Sequence, residues 1–162
     1  MSVSQRRHRG LVAATVTATL ALLLSGCGVS IPSDPDGTLE TVRGGELRVG
    51  VSPDPPLVED AEDRPSGSVV DLVDDFASSL DADTDWTVAT EETLVRMMEE
   101  GDLDLIAGGI TSDTPWLDRA GVTRGYTGID GADGREIVML VPLGENAFLS
   151  ALERFLDEEA GT

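Results

Sequence analysis

The chain has 162 residues and carries 31 acidic residues against 11 basic ones, all arginine, for a formal net charge of −20. A chain this acidic repels phosphate backbones, so we expect no nucleic-acid partner. Because Cys27 and His8 are the single cysteine and histidine, the composition excludes a disulfide framework, a Ser-His-Asp triad and a cysteine- or histidine-rich zinc site.

Residues 1–26 have the pattern of an export signal. Three arginines and no acidic residue precede residue 10, and the mostly apolar residues 11–24 would span only roughly 21 Å as a helix, too short for a bilayer core of about 30 Å. The sequence Leu24-Ser25-Gly26-Cys27 follows and resembles a bacterial lipobox, in which the cysteine receives a diacylglyceryl group and becomes the new N-terminus. The resemblance implies a lipid anchor on the extracytoplasmic face of the cell membrane. The alternatives are an uncleaved short anchor and an ordinary signal peptide.

Residues 27–45 predict a flexible tether after the lipidated cysteine, because glycine and proline interrupt a stretch with little apolar content. The acidic residues of this stretch are expected to be solvated. The remaining residues, 46–162, are enough for one hydrophobic core and not for two, so we expect a single folded lobe.

Hydrophobic periodicity predicts the elements of this lobe. Alternating or short apolar runs bounded by turn residues predict four strands, at residues 46–51, 86–89, 103–107 and 137–141. Apolar residues at helical spacing predict three helices: residues 69–80, residues 91–100 behind a Thr90 N-cap, and a last helix that starts at Gly144 or Asn146. Residues 112–135 contain five glycines and are expected to form loops.

The order of these elements, β-α-β-α-β-loop-β-α, predicts an α/β fold. Such an order favours a mostly parallel open sheet with flanking helices and right-handed crossovers. Ligands of open α/β sheets bind beyond the carboxyl ends of the strands. Two loops lie there, residues 52–54 after the first strand and residues 108–111 after the third, and glycine in the second would let a ligand approach the backbone.

Four segments, in order, resemble family 3 of the bacterial extracellular solute-binding proteins, the amino-acid receptors of ABC importers. They are GELRVGVSPDPP at residues 45–56, GSVVDL at 67–72, LVRMMEEGDLDLIAGGIT at 94–111 and DRAGVTRGY at 118–126, with a weaker likeness over 136–160. The resemblance implies a periplasmic-binding-protein-like lobe. It also implies that Asp54 binds a ligand amine, Gly109 contacts the ligand through its backbone and Thr111 binds a carboxylate. Arg119 is a further candidate, near the position of the family's arginine.

The sequence departs from the family pattern at positions that contact the ligand. Leu57 and Ser68 stand where the family has stacking aromatic residues, and Trp116 stands where it has the carboxylate-binding arginine. The family has two lobes, whereas here only a short loop rich in glycine and aspartate follows Tyr126, so we expect one lobe. A single open lobe buries less of a ligand than a closed cleft, so we expect weak binding.

We therefore expect a lipid-anchored, extracytoplasmic module that binds a small polar solute such as an amino acid, for a membrane transporter or as its regulator. We expect no cofactor and no metal. We also expect no enzyme activity, since a glycosidic enzyme would need aromatic residues that stack on a sugar, and such residues are scarce. The alternative is a structural or protein-interaction lipoprotein that keeps one receptor lobe without binding a ligand.

The candidate residues also have simpler interpretations. Asp54, Gly109 and Thr111 could serve only their turns, and Arg119 and Arg124 could form ion pairs in so acidic a chain. Trp116 could be an exposed platform or a lid over the core.

Overall fold

The computed structural model describes residues 34–161. The predicted signal peptide and Cys27 lie outside these residues. Within them the chain forms four helices, α1 (Thr38–Val42), α2 (Ser68–Ser79), α3 (Glu91–Glu99) and α4 (Asn146–Glu159), and five strands, β1 (Glu46–Val51), β2 (Asp83–Val88), β3 (Leu105–Ala107), β4 (Gly121–Val122) and β5 (Leu140–Val141). None of the helices in this part of the chain is long and apolar enough to cross a bilayer.

The five strands form one mixed sheet in the order β2-β1-β3-β5-β4. Strand β1 runs parallel to both of its neighbours, β2 and β3, so the carboxyl ends of these three strands lie together, at what we call the carboxyl end of the sheet. The predicted α/β fold with flanking helices is confirmed. Strand β5 differs from the expectation because it runs antiparallel to β3 and β4. A loop, not a crossover helix, leads into it, so no parallel direction is imposed.

Helices cover both faces of the sheet, and alternate strand residues point into two separate clusters of buried side chains. In β3, Leu105 and Ala107 belong to the cluster that α2 and α4 cover, whereas Ile106 belongs to the cluster beneath α3. Phe76 of α2 joins the two helices of the larger cluster, with ring centroids 5.8 Å from Phe148 and 5.5 Å from Phe155. The periodic apolar residues of the sequence therefore form the core as expected.

The helix boundaries also follow from local signals in the sequence. The predicted Thr90 N-cap of α3 is confirmed, since its hydroxyl accepts a hydrogen bond of 3.5 Å from the backbone N–H of Thr93. Glu91 and Glu92 then lie in the first turn, where the helix dipole favours negative charge. Helix α4 begins at Asn146, one of the two predicted starts.

Residues 34–45 pack onto the lobe, so the predicted flexible tether is wrong over this part of its length. Helix α1 buries Thr38 and Val42, and Val42 belongs to the main core cluster. Glu145, just before α4, accepts hydrogen bonds of 2.9 and 3.0 Å from the backbone N–H groups of Asp36 and Thr38. Helix α1 has only five residues and depends on this contact, because isolated helices so short are unstable in water.

Asp34 makes a second contact between α1 and α4. It is therefore not simply solvated as the sequence suggested. Its two carboxylate oxygens accept hydrogen bonds from the backbone N–H of Leu39 in α1, at 2.8 Å, and of Phe148 in α4, at 3.2 Å. The two helices thus begin at one place, and the free N–H groups of each receive a carboxylate.

The pKa values of these two carboxyl groups are shifted in opposite directions. Burial raises the pKa of Asp34, against two backbone hydrogen bonds that act to lower it. Burial acts to raise the pKa of Glu145 as well, but hydrogen bonds from backbone N–H groups lower it below the ordinary 4.5. Glu145 therefore stabilises the fold above its unfolded pKa, and this contribution is lost as the pH falls through its folded pKa. The contribution of Asp34 has the opposite sign and is lost as the pH rises.

Glu145→Gln is expected to lower the free energy of unfolding at pH 7 by roughly 1.5–3 kcal/mol, the range for hydrogen bonds to a charged group. Urea denaturation measures this difference, which should shrink as the pH falls below 4.5. Glu158→Gln, an exposed position on the same helix, is the control and should change stability little. A loss in Glu145→Gln that stays constant with pH would contradict the role given to the Glu145 charge.

Candidate ligand-binding site

Asp54 lies at the carboxyl end of the sheet in a short, closed turn that follows β1. Its backbone N–H donates to Val58 O at 2.9 Å, and its carbonyl accepts from the N–H groups of Leu57 and Val58 at 2.9 and 3.1 Å. Leu57 and Val58 are fully buried, so they fix the turn to the core. The backbone of Asp54 is thereby held in place, while its side chain lies across the loop that follows β3.

Gly109 is the residue on which the Asp54 carboxylate rests. A Cβ at position 109 would lie 1.7 Å from Oδ2 of Asp54, so a side chain there is incompatible with the position of this carboxylate. The two residues meet because β1 and β3 are parallel neighbours, with Val51 opposite Ala107. The structure thus brings together two of the residues that the sequence singled out, at the place where open α/β sheets bind ligands.

Thr111 lies two residues beyond Gly109, and its hydroxyl already has a partner. It donates a hydrogen bond to Oδ1 of Asp113, and the neighbouring Ser112 hydroxyl donates to Oε2 of Glu136 at 2.9 Å. Two carboxylates therefore stand beside the position that the family resemblance gives to a ligand carboxylate. Because like charges repel, these two carboxylates favour a cationic or neutral group at this position over an anionic one.

Arg135 is the residue at this site that the sequence did not reveal. Its Nη1 donates to Oδ2 of Asp54 at 2.7 Å, and its Nε donates to the carbonyl of Ala132 at 3.1 Å. Arg135 is 81 positions from Asp54 and lies in a stretch that the sequence marks only as loop. No spacing or motif points to the pair, because the path of the loop is set by its packing on the lobe.

The segment from residue 127 to residue 136, which we call the 127–136 loop, packs against the lobe. Ile129 and Ala132 are buried in the main core cluster, and the Ser68 hydroxyl donates to the carbonyl of Asp130 at 2.6 Å. Ser68 stands where the resembled family has a stacking aromatic residue, and Leu57, at the other such position, is fully buried. Neither position offers a stacking surface here.

Arg119 does not lie with the other three candidate residues. Its Nε donates to Oε1 of Glu99 at 2.8 Å, and Glu99 is the last residue of α3, at the amino end of the sheet. This ion pair raises the pKa of Arg119 and lowers the pKa of Glu99. Arg119 also lines a separate cavity of about 570 Å³, together with Arg48 and Asp104.

Ion pairing is therefore the observed role of both arginines for which the sequence left two interpretations. Arg124 pairs with Glu153 and, at 2.8 Å, with Asp157 of α4.

Trp116 is a partly buried lid over the cluster beneath α3, and its indole Nε1 donates to Oε2 of Glu91 at 3.1 Å. It is not an exposed platform.

The surroundings of Asp54 are acidic and open. An adjoining depression of about 660 Å³ starts at Ser52 and Pro53 and contains the carboxylates of Asp60, Glu91 and Glu92. Within residues 34–161, no three His, Cys, Asp or Glu side chains converge to hold a metal ion. The arrangement suits an organic cation, such as an ammonium or guanidinium group, that would bind Asp54 by a charge-assisted hydrogen bond.

The fold is that of one lobe of a periplasmic binding protein. The family model of the bacterial extracellular solute-binding proteins, family 3, matches residues 47–158, and the chain belongs to this family. None of the curated proteins compared with the chain matches it significantly.

Solved structures support the same fold. The arginine-bound domain 1 from TmArgBP aligns with a TM-score of 0.63 at 24% identity, over 74% of this chain and 97% of that one. A mutant of ArgBP from T. maritima gives 0.60 at 14% identity, over 75% and 92% of the two chains. A Salmonella typhimurium periplasmic binding protein with high arginine specificity gives 0.61 at 10% identity, over 72% and 94%. The described residues therefore form one such lobe, as the sequence predicted.

Gly109→Ala is expected to push the Asp54 carboxylate away from its position and to break its contact with Arg135, because the new Cβ would overlap Oδ2. The carboxylate can rotate into solvent, so the loss of stability should stay below the roughly 1–3 kcal/mol of core overpacking. Gly50→Ala is the comparison for core overpacking, since its Cβ would lie 2.7 Å from Leu94 Cδ2 inside the core. It should lose more stability than Gly109→Ala. Thermal unfolding measures the loss of stability, and a crystal structure of the Gly109→Ala variant shows where the Asp54 carboxylate lies. An unmoved carboxylate in Gly109→Ala would refute the close packing described here.

Proposed function

We propose that this lobe is an extracytoplasmic solute-binding module that takes a small polar solute with a cationic group, such as an amino acid, at Asp54, Gly109 and Thr111. One observation carries the proposal: the carboxylate of Asp54 rests on Gly109 at the carboxyl end of the sheet and already holds a guanidinium group. A position that accepts the guanidinium of Arg135 has the charge and the donor-acceptor geometry to accept that of a solute.

The charge of the chain supports a cationic solute. From residue 27 onward, 8 arginines face 31 acidic residues. Five further carboxylates lie around the carboxyl end of the sheet, those of Asp60, Glu91, Glu92, Asp113 and Glu136. Such a field raises the local concentration of cations and speeds their arrival. Solved lobes of similar fold are described as arginine-bound, which agrees with this class of solute. One open lobe encloses a ligand only partly, so we expect modest affinity.

We further propose that Cys27 carries a lipid that holds the lobe at the outer face of the cell membrane, beside a transporter that it supplies or regulates. Support comes from the basic start, the short apolar segment and the sequence Leu24-Ser25-Gly26-Cys27, which together fit a lipoprotein signal. Membership of a family of extracellular solute-binding proteins agrees with export.

The second candidate is an interaction lipoprotein that keeps the lobe and binds no solute. One observation favours it: the side chains of Asp54 and Thr111 both have intramolecular partners, Arg135 and Asp113. A site whose polar groups are satisfied internally gains less from a ligand, because each new hydrogen bond replaces an existing one.

A panel of amino acids and amines should contain at least one solute that raises the unfolding midpoint of residues 28–162. At a concentration 100 times its dissociation constant, such a solute stabilises the folded state by about 2.7 kcal/mol. Asp54→Asn should remove most of this gain, because it deletes the charge that binds the cation. Asp157→Asn, which weakens a comparable Asp–Arg pair away from the site, should leave the gain unchanged. If no solute shifts the midpoint, the second candidate function is favoured.

Cys27→Ser is expected to release the protein from the membrane into the soluble fraction, because serine cannot form the thioether that carries the lipid. Fractionation of cells, with immunodetection of the membrane and soluble fractions, measures the change. Ser25→Ala keeps a small residue before the cysteine and serves as the control that should stay membrane-bound. Membrane retention of the Cys27→Ser protein would exclude the lipid anchor.

A further inference from the structure

We infer that Arg135 is a specificity-determining residue of this site: a tethered guanidinium that occupies the cation position at Asp54, which a solute must take over in order to bind. This inference rests on the proposed function, since it concerns the same site. It adds the residue that sets which cations enter and how tightly they bind.

The contact between Arg135 and Asp54 is one that a solute can displace. Within residues 34–161 the guanidinium reaches Asp54 by Nη1 alone, and Oδ1 of Asp54 accepts no hydrogen bond. The side chains of Arg135 and Asp54 are 37% and 36% exposed, so a solute has access to both. A single charge-assisted hydrogen bond between two partly exposed side chains is weaker than the bidentate contact that a guanidinium can make with a carboxylate.

The 127–136 loop holds Arg135 at Asp54 and so makes it an effective competitor. Ile129 and Ala132 anchor the loop in the core, and the carbonyl of Ala132 accepts from Nε of Arg135, which directs the guanidinium. A group tethered by a short segment competes at an effective concentration on the order of millimolar or more. A free cation of equal intrinsic affinity therefore fails to enter at lower concentrations.

This competition selects among cationic solutes. A simple ammonium group presents a point charge and gains little when it replaces Arg135. A free guanidinium can meet both oxygens of Asp54 with two parallel N–H groups, which the anchored side chain of Arg135 does not do. The site is thus expected to favour guanidinium solutes over simple amines, and to bind them more weakly than it would without Arg135.

Isothermal titration of the mature, detergent-solubilised lipoprotein with arginine, and separately with methylguanidinium, tests this inference. We expect Arg135→Gln to bind both probes at least about tenfold more tightly than the wild type, because the internal competitor is gone. Arg135→Lys, which keeps a tethered cation, should bind much less tightly than the glutamine variant. Arg124→Gln removes an arginine from an ion pair elsewhere on the lobe and should bind as the wild type does.

Equal or weaker binding of both probes by Arg135→Gln than by the wild type would overturn the inference while leaving the proposed function intact. If the wild type binds neither probe and Arg135→Gln binds them, the inference holds and the proposed function of the native lobe fails. If neither protein binds, both fail. Should Arg135→Gln not fold, NMR of the wild type replaces it. Saturating methylguanidinium should then shift the Arg135 Nε–H signal, and binding without such a shift would refute displacement.

Discussion

The contact between the Asp54 carboxylate and Gly109 depends on the parallel pairing of β1 with β3, and the candidate site depends on that contact. The pairing brings the ends of two strands side by side, so the turn after one faces the loop after the other. The buried residues Leu57 and Val58 fix the turn from below. A glycine then leaves room for the carboxylate. The Asp54 carboxylate is thus held in place by the sheet and the core, and glycine at position 109 gives it room. The result is a fixed negative charge that solvent can reach.

The surroundings of this charge decide what it can bind. Asp113 and Glu136 lie beside Thr111, so the position that the family resemblance assigns to a ligand carboxylate is itself acidic. Arg135 supplies the one nearby positive charge among the described residues of the site, and it comes from the 127–136 loop. The loop therefore places an internal cation at Asp54, so the binding site is partly satisfied within the lobe.

Much of the lobe could be predicted from the sequence because its signals are local or periodic. The stripe of apolar residues gave α2 and α4, and the turn residues after β1 and β3 indicated that Asp54 and Gly109 would lie at the same end of the sheet. The features that escaped prediction depend on contacts distant in sequence. Helix α1 is held by Glu145, more than 100 positions away. Arg135 reaches Asp54 because the 127–136 loop packs on the core. Neither packing arrangement leaves a pattern in the chain.

The central claim is that the carboxyl end of the sheet, at Asp54 and Gly109, is where this lobe binds a cationic solute. Titration of the ¹⁵N-labelled lobe with arginine, followed by backbone amide shifts, tests it most directly. The account predicts saturable shifts at Gly109, at Thr111 and in the turn that follows β1, accompanied by a shift of the Arg135 side chain. Shifts confined to the cavity between Arg48 and Arg119, or no saturable shifts at all, would contradict it.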